Sequence, residues 1–394
     1  MNVQPFRVHI REAALQDLRE RLERTRWPDE IPSTGWEYGT NLAYLKELVH
    51  YWQTQFDWRA QEKMMNQFAH FRANLDGFNI HFIHERGKGP DPLPIIITHG
   101  WPSSFLEMLK IIPLLTDPGS HGGKAEDSFD VVVPSLPGYG FSDRPTKRGM
   151  TISSIANIWA QLMTDELGYG RFAAQGGDHG ASVTEQLAVS HGDLLVGIHL
   201  DMVPAHHIFE RPPAEELSQL EKNYLQQLEL WLKEEGDYAM IQGTKPQTLA
   251  YALNDSPTGL AAWIVEKFRS WSDCDGNVEK RFTKDELLTN ITLYWVTETV
   301  NSASRLYYEA AHDYDYTHPK HHRRSDVETA VAIFPKDILT APRQWAERWL
   351  NVMRWTEMPH GGHFAAMEEP KLLAEDIITF FRPLRSQKGK IQTA

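Results

Sequence analysis

The stretch with the most definite chemistry is residues 172–184, F-A-A-Q-G-G-D-H-G-A-S-V-T. A short apolar run is followed by a glycine-rich turn and then by apolar residues at helical spacing, which predicts a strand, a tight turn and a helix. Gly176 and Gly180 flank Asp178 because a strand and a helix that cross this closely leave no room for larger side chains. We expect the turn to strain the backbone of Asp178 and to place its carboxylate over the end of the sheet.

An aspartate at the centre of this turn indicates nucleophilic attack on a saturated carbon that carries a leaving group. Attack on an ester is unfavourable because it would give a mixed anhydride. The alkyl ester that forms on Asp178 must then be hydrolysed by water, and that step needs a general base and an oxyanion hole. The sequence offers candidates for both.

His363 is the candidate base, in M-P-H-G-G-H-F-A-A at residues 358–366. It follows the last predicted strand, where two glycines give way to a helix of small residues. The acid that orients this histidine is predicted after one of two strands, at Asp337 or at Asp201. Asp337 is preferred because the chain order nucleophile, acid, histidine is then the usual one for this sheet topology, and Asp201 is the second choice.

Two backbone N–H groups are candidates for the oxyanion hole. One belongs to His179, the residue after the nucleophile, and the other to Trp101 in the H-G-W-P segment at residues 99–102. Trp101 is the natural donor of that segment because Pro102 has no N–H.

The elements that would position these residues alternate between short apolar runs and helical stretches. This alternation predicts an α/β fold with a mostly parallel sheet covered by helices on both faces. The predicted strands are residues 95–98, 131–134, 172–174, 195–200, 331–334 and 352–358. Before them, the pattern predicts helices at residues 10–26, 42–56 and 61–69, and a β-hairpin at residues 71–84 around Asp76-Gly77.

The sheet pattern is interrupted between about residues 204 and 324 by a segment rich in Trp and Tyr. Its pattern predicts helices at residues 217–232, 259–270 and 284–312. A helical insertion at the carboxyl end of an open sheet, where ligands bind, is most simply a lid. We therefore predict an N-terminal region at residues 1–86, a core at 87–203 and 325–394, and a lid at 204–324.

Composition narrows the class of protein further. The chain has 394 residues, of which 41% are hydrophobic, so it can bury a substantial core. Its formal charge of −13 argues against nucleic-acid and anionic-membrane partners. The single cysteine, Cys274, fits a reducing compartment, and no signal peptide or run of eighteen apolar residues is recognised. We expect a cytoplasmic protein without a membrane anchor.

Several histidines lie outside this scheme. His360 is interpreted as a turn residue, and His206-His207 as a hinge of the lid rather than a ligand pair. The group His318, His321 and His322 has no acidic or cysteine partners at ligand spacing and is interpreted as a solvated basic loop. We therefore predict neither a metal site nor a cofactor.

The elbow, the H-G-W-P segment, the string at residues 134–143 (P-S-L-P-G-Y-G-F-S-D) and G-G-H-F-A-A at residues 361–366 occur in a specific order. With these motifs, the sequence resembles epoxide hydrolases of the α/β-hydrolase superfamily. The match is closer to the microsomal class, which includes soluble microbial and insect juvenile-hormone members. It extends over about residues 5–384, and residues 5–86 look like the meander domain of that class. The resemblance implies the α/β-hydrolase fold, an epoxide and water as substrates, and conversion of the epoxide to a vicinal diol.

The resemblance also implies two lid tyrosines that donate hydrogen bonds to the epoxide oxygen. They correspond to Tyr238, before the I-Q-G-T-K-P string, and to Tyr307, at the end of the long lid helix. Tyr308 is adjacent and Tyr251 is nearby, so a displaced assignment stays open. The chemistry supports such tyrosines independently, because a phenol can stabilise the departing alkoxide near neutral pH.

The chain departs from the family pattern at several points. Many relatives have tryptophan where this chain has His179, which implies an altered pocket with the backbone N–H retained. Mammalian relatives begin with a membrane anchor that is not recognised here. Some relatives have glutamate in place of Asp337, and the shorter arm could slow hydrolysis of the ester.

Two alternative functions and several properties stay open at this stage. A haloalkane dehalogenase shares the aspartate nucleophile, but it often has tryptophan at the position of His179. A catalytically silent fold that binds a hydrophobic ligand is the other alternative.

The lid aromatics favour a bulky, apolar epoxide, and a role in detoxification of foreign compounds follows from the family. The natural substrate, the stereochemistry and the assembly, including a homodimer, are not determined by the sequence.

Overall fold

The computed structural model describes residues 2–75, 77–313 and 324–387. In this part of the chain, nine strands form one sheet in the order β1-β2-β3-β5-β4-β6-β7-β8-β9. The strands are β1 Val3–Phe6, β2 His70–Leu75, β3 Phe78–Glu85, β4 Leu93–Thr98, β5 Phe129–Pro134, β6 Phe172–Gly176, β7 Leu195–Leu200, β8 Glu328–Ile333 and β9 Asn351–Glu357.

The sheet is antiparallel on one side and parallel on the other. The pairs β1–β2, β2–β3 and β3–β5 are antiparallel, whereas all pairs from β5 through β4 to β9 are parallel. Both faces are buried, since Ile96 of β4 lies in one apolar cluster while Ile95 and Ile97 lie in the other. This is the α/β-hydrolase arrangement, with helices on both faces of a mostly parallel sheet.

The helices of this layered core follow the parallel strands. They are α4 Ile112–Thr116, α5 Ile152–Gln161, α6 Asp178–Ser190, α13 Arg343–Glu347, α14 Ala365–Glu368 and α15 Pro370–Phe381. Helix α5 packs against α6, and α15 packs against α4, β7 and β8.

In the described part of the segment between β7 and β8, which we call the insertion, six further α-helices are present. They are α7 Gln219–Glu235, α8 Asp237–Thr244, α9 Pro246–Leu253, α10 Pro257–Ser270, α11 Lys284–Thr297 and α12 Val300–His312. Helix α12 packs on both α8 and α9. Among the described residues, no helix has the length and apolar character needed to cross a bilayer.

Three helices precede β2, namely α1 Glu12–Glu23, α2 Leu42–Thr54 and α3 Trp58–Met65. Of these, α1 and α2 pack on the insertion. Helix α1 contacts α10 and α11, and Arg21 of α1 forms a 2.7 Å ion pair with Asp255. The segment between α1 and α2 is also attached, since Thr40 Oγ1 donates to the carbonyl of Ala262 at 2.7 Å.

The six strands predicted from apolar runs are present, and so is the hairpin of β2 and β3, although Asp76 of its turn lies outside the described residues. Helices α1, α2, α7 and α10 also lie where the pattern predicts them. The predicted boundary at residue 86 falls just after β3, so residues 1–86 supply three strands of the same sheet as the core. The division into three domains stays a prediction.

Three details of the prediction are wrong. Helix α3 begins at Trp58 rather than near residue 61, because Asp57 caps it by accepting hydrogen bonds from the N–H groups of Arg59 and Ala60. The single helix expected over residues 284–312 is divided at Glu298, whose φ of 52° is left-handed. Strand β8 begins at Glu328, before the apolar run that was taken as its start.

Three short elements have no counterpart in the prediction. They are β1, an edge strand that contains a proline, and the helices α8 and α9. Each is too short to show a clear periodicity in the sequence.

Candidate active site

Asp178 lies at the sharp turn between β6 and α6, as the sequence predicts. Its φ of 50° lies in the left-handed region, which is uncommon for residues other than glycine. The flanking glycines are required by close contacts, since a Cβ on Gly176 would overlap the carbonyl of Gly180 and a Cβ on Gly180 would overlap that of Thr98. The strand, the turn and the helix therefore fix the direction of the Asp178 carboxylate.

The loop after β4 lies beside this turn because β4 and β6 pair in parallel, with Thr98 opposite Gly176. The N–H of Trp101 donates to Asp178 Oδ1 at 2.9 Å, and a Cβ on Gly100 would overlap the same carboxylate. The predicted loop donor thus reaches the nucleophile. The N–H of His179, the other predicted donor, belongs to the first turn of α6.

His99 holds this loop in place as a neutral imidazole. Its Nε2 accepts from the N–H of Leu136 at 3.2 Å, so its Nδ1 carries the proton that is donated to the carbonyl of Gly100 at 3.0 Å. Burial lowers the pKa of His99 to about 4, which is consistent with this neutral form. The sequence contains this histidine in the H-G-W-P segment, but its role required the structure.

His363 lies between two carboxylates. Its Nε2 is 3.5 Å from Asp178 Oδ2, and its Nδ1 is 2.7 Å from Asp337 Oδ1. Burial alone would lower the pKa of His363, but the charges of Asp337 and Asp178 and the hydrogen bonds to them raise it well above its usual value. This shift favours the imidazolium form of His363, in which Nδ1 donates to Asp337 and the second N–H, on Nε2, faces Asp178.

The carboxyl group of Asp178 stays ionised beside this imidazolium. Burial opposes its ionisation, but the imidazoles of His179 and His363 and the hydrogen bonds from His363 and the Trp101 N–H outweigh burial. Together they hold the pKa of Asp178 well below its usual range. The nucleophile is thus available as a carboxylate at neutral pH.

Asp201, the second choice for the orienting acid, lies behind the turn instead. A Cβ on Gly177 would overlap its Oδ1, and within the described residues no hydrogen bond joins Asp201 to His363. Burial, opposed by His199 and assisted by the charge of Asp337, raises the pKa of Asp201 to about 6. The structure brings Asp337, and not Asp201, into contact with the histidine.

The two predicted tyrosines project from the insertion onto Trp101, in the loop after β4. Tyr238 of α8 stacks on the ring of Trp101 at 5.1 Å and 9°, and Tyr307 of α12 lies edge-on to it at 5.8 Å. The two tyrosine rings are 6.0 Å apart. The neighbours that could have been confused with them differ, since Tyr251 is 74% exposed and Tyr308 stacks on His312.

Both tyrosines are held in the neutral, donor form. Burial, assisted by the charge of Asp178, raises the pKa of Tyr238 above its usual value. Burial and the neighbouring Tyr238 and Asp178 have the same effect on the pKa of Tyr307. Two neutral phenols therefore lie against Trp101, the residue whose N–H donates to Asp178.

Two residues of this site were missed by the sequence analysis. Trp271 follows α10, and its carbonyl accepts from the N–H of His363 at 2.8 Å, while its ring is 5.2 Å from His363 and 5.1 Å from Tyr238. Only the aromatic richness of the insertion pointed to such a residue. Trp271 joins the histidine of the core to the tyrosine of the insertion.

Glu107 is the other missed residue. It is buried in the 3-10 helix Phe105–Lys110, which follows β4, and Ser103 Oγ donates to its Oε2. Burial raises the pKa of Glu107 to about 8, against the hydrogen bond from Ser103 and with the help of the charges of Asp201 and Asp178. The sequence gives no signal for this role, because an isolated glutamate in a short helix is ordinarily exposed.

The histidines that the sequence analysis placed outside the catalytic scheme fall into three groups. His360 forms a 2.6 Å pair with Glu369 at the surface, consistent with a turn residue. His206 and His207 are buried near Glu185 where the insertion begins. The group His318, His321 and His322 lies outside the described residues.

The arrangement can carry out two linked reactions. A constrained carboxylate with two neutral phenols nearby can open a strained ring by attack on carbon while the departing oxygen receives a hydrogen bond. A histidine oriented by a second carboxylate can then activate water against the resulting ester, next to a backbone donor.

Comparison with known proteins places this chain among characterised families. The model of the epoxide hydrolase N terminus matches residues 3–108, and that of the alpha/beta hydrolase fold matches residues 94–235. A protein of Stigmatella aurantiaca, whose name also places it among epoxide hydrolases, is 45% identical over 98% of this chain and 86% of its own length. Epoxide hydrolase 1 of Oryctolagus cuniculus is 38% identical over 96% of this chain and 88% of its own. The structure of Aspergillus niger epoxide hydrolase superposes with a TM-score of 0.83 at 31% identity, covering 98% of this chain and 97% of that one.

Proposed function

The chain belongs to the epoxide hydrolase family, and from that premise we propose that it opens its epoxide substrates through a covalent ester on Asp178. Asp178 attacks one carbon of the epoxide, and the C–O bond breaks as the new C–O bond forms. The observation that carries this proposal is the position of the Asp178 carboxylate, held by the Trp101 N–H at 2.9 Å with His363 Nε2 at 3.5 Å.

Tyr238 and Tyr307 donate hydrogen bonds to the epoxide oxygen as it becomes an alkoxide. This role is supported by their neutral form and by their common contact with Trp101, which donates to the nucleophile. The insertion then acts as a lid, because it supplies both phenols. Its aromatic side chains favour a bulky, apolar epoxide with aryl or alkyl substituents.

The protonation of His363 accounts for the proton that the alkoxide requires. In the resting enzyme, Asp178 carries one negative charge and His363 one positive charge. Formation of the ester removes the charge of Asp178, so the pKa of His363 falls and its proton passes to the alkoxide by way of the tyrosine hydroxyls. The alkylated enzyme then holds a neutral ester, a neutral histidine and two neutral phenols.

Neutral His363, oriented by Asp337, is now the base that the second step needs. It removes a proton from a water molecule, which attacks the carbonyl carbon of the ester. The N–H groups of Trp101 and His179 stabilise the oxyanion. Collapse releases a vicinal diol and restores the carboxylate of Asp178 and the imidazolium of His363, so no charge is gained or lost over the cycle.

Composition and family also support proposals about the setting of the enzyme. We propose a cytoplasmic enzyme that detoxifies foreign epoxides. We also propose a homodimer, which a measurement of its mass in solution tests.

The covalent step is tested with His363→Gln and Asp178→Asn exposed to styrene oxide. The first variant should gain the mass of one substrate on the peptide that contains Asp178, because the ester can still form with solvent as the source of the alkoxide proton, but it is not hydrolysed. The second should gain no mass, since an amide is a poor nucleophile. Absence of an adduct in His363→Gln, with the variant folded, would contradict the ester.

A further inference from the structure

A second cluster of chemically active side chains lies outside the active site, where the insertion leaves the core. Glu185 belongs to α6, and His206 and His207 lie in the short 3-10 helix Ala205–Glu210 that follows β7. All three side chains are buried, and one ligand atom from each can be chosen so that all lie within 4.8 Å of one another. The two histidines converge on one carboxylate from the same short helix.

The contacts within the cluster involve both oxygens of Glu185. His207 Nε2 is 2.8 Å from Oε1, and His206 Nε2 is 3.4 Å from Oε2. The two imidazole rings are 4.1 Å apart between centroids and inclined by 41°. Both Nε2 atoms thus face the same side of one carboxylate.

These distances are close to those of a metal site. Zinc lies about 2.0–2.2 Å from histidine nitrogen and carboxylate oxygen, so two ligand atoms of a tetrahedral site are roughly 3.4 Å apart. The His206 contact already has this length, and the His207 contact needs to widen by roughly half an ångström.

The types of donor favour one class of ion. Two imidazoles and one carboxylate suit Zn²⁺ and other first-row divalent transition metals, whereas Mg²⁺ and Ca²⁺ prefer sets of oxygen ligands. A divalent ion would also neutralise the buried charge of Glu185.

The surroundings hold one of the imidazole ligands in a fixed orientation. The ring of His207 lies flat against Trp349, with 4.7 Å between centroids and an angle of 3°. Such contacts outside the ligand set restrict the rotation of a histidine and favour binding of metal over free movement. Glu185 is held in turn by α6, the helix that begins with Asp178.

We propose that Glu185, His206 and His207 bind one divalent transition-metal ion, with Zn²⁺ as the preferred occupant and water in the fourth position. The ion joins the first turn of the insertion to the helix that carries the nucleophile. No step of the epoxide reaction involves it, so the site is independent of the ester mechanism. Because binding requires neutral imidazoles, the affinity rises as the pH increases through the titration of histidine.

The experiment measures metal binding rather than turnover. Purified full-length protein is freed of metal with a chelator and titrated with Zn²⁺ by calorimetry, and a second sample is titrated with Co²⁺ and followed by its visible absorption. The same titrations are made with Glu185→Gln, and with His50→Ala as a control for surface histidines, since His50 is exposed on α2.

The proposal expects one Zn²⁺ per chain in the wild type and in His50→Ala, a Co²⁺ spectrum typical of four-coordinate geometry, and loss of both in Glu185→Gln. Zn²⁺ should also raise the midpoint of thermal unfolding of the first two proteins but not of the third. The proposal would be wrong if the wild type did not bind Zn²⁺, or if Glu185→Gln bound it equally well. The cluster would then be a carboxylate that only shares protons with two histidines. If Glu185→Gln does not fold, His207→Gln replaces it in these titrations. A wild-type Co²⁺ spectrum without four-coordinate bands would overturn the proposed site without any variant.

Discussion

At the scale of single residues, the chemistry depends on where charges are placed before the substrate arrives. The carboxylate of Asp178 and the imidazolium of His363 stabilise each other in the resting enzyme, and Asp337 extends the pair on the other side. The proposed ester removes one charge from this set of three, which changes His363 from an acid into a base. The two half-reactions therefore require opposite protonation states of one residue, and the first half-reaction produces the state that the second needs.

The choice between the two candidate acids can be decided by substitution. Asp337→Asn keeps the shape of the side chain but removes the charge that orients His363, so hydrolysis of the ester should slow by about a thousandfold to ten-thousandfold. Asp201→Asn should slow it by less than about tenfold, because no hydrogen bond joins Asp201 to His363 in the described residues. Rapid-quench measurement of ester decay distinguishes the two variants, and a larger effect of Asp201→Asn would reverse the assignment.

Glu107 should make stability depend on pH. Its pKa is raised to about 8 in the folded protein, against about 4.3 in an unfolded chain. A raised pKa gives stability that is fully present below about pH 4.3 and is lost as the pH rises through about 8. Denaturant unfolding at about pH 5 and about pH 9 should therefore show a decline of up to about 4 kcal/mol that Glu107→Gln lacks.

His363 does not obscure this comparison. The raised pKa of His363 also causes stability to be lost as the pH increases. Because His363 is present in both the wild type and Glu107→Gln, the difference in stability between the two proteins isolates the effect of Glu107. Equal declines in the two proteins would show that Glu107 ionises normally.

At the scale of elements, the site is assembled from two layers. The sheet contributes the nucleophile turn after β6, the donor loop after β4, and the acid and histidine after β8 and β9. The insertion contributes Tyr238 from α8, Tyr307 from α12 and the ring of Trp271. In the proposed mechanism, hydrolysis of the ester uses only the first layer, whereas opening of the epoxide uses both.

The tyrosines should affect the first half-reaction selectively. In the His363→Gln background, Tyr238→Phe and Tyr307→Phe should each slow formation of the ester by about a hundredfold, because each removes one donor to the leaving oxygen. Tyr308→Phe is the matched control, since Tyr308 stacks on His312 instead. The assignment fails if Tyr308→Phe is slowed as much as either of the other two.

The turn that holds Asp178 should not tolerate a side chain at Gly180. Gly180→Ala would press a methyl group against the Thr98 carbonyl of the neighbouring strand, so we expect a loss of about 3 kcal/mol in the free energy of unfolding, or no folded protein. At Gly170, which is exposed and has nothing within 4 Å of its added Cβ, alanine should change stability by less than about 0.5 kcal/mol. Equal stabilities of the two variants by urea unfolding would contradict the close crossing of β6, α6 and β4.

The sequence could predict the features that depend on local pattern. Apolar runs predicted the strands, and the glycines around Asp178 predicted a turn whose constraint is now visible in its φ of 50°. Trp271 and Glu107 could not be predicted, because their roles depend on contacts between segments distant in the chain. The tyrosines are intermediate, since their position came from resemblance to a family while their neutral form came from burial.

At the scale of the whole molecule, the N-terminal region joins the two layers of the site. It places β1, β2 and β3 in the sheet, and it contacts the insertion through Arg21 of α1 and through Thr40 of the segment between α1 and α2. The insertion is therefore held against the sheet by an element separate from its own two connections to β7 and β8. This arrangement limits how far Tyr238 and Tyr307 can move from the nucleophile, as a reaction with donors and nucleophile in separate layers requires.

The ester on Asp178 is the central claim, and oxygen labelling in a single turnover tests it most directly. Enzyme in excess over styrene oxide is allowed to react once in water enriched in oxygen-18, and both the diol and the peptide that contains Asp178 are analysed by mass spectrometry. Through the ester, the water oxygen enters the carboxylate, so Asp178 should carry the label and the first diol should carry none. A labelled diol with unlabelled Asp178 would mean that water attacks the epoxide directly, and the covalent mechanism would be wrong.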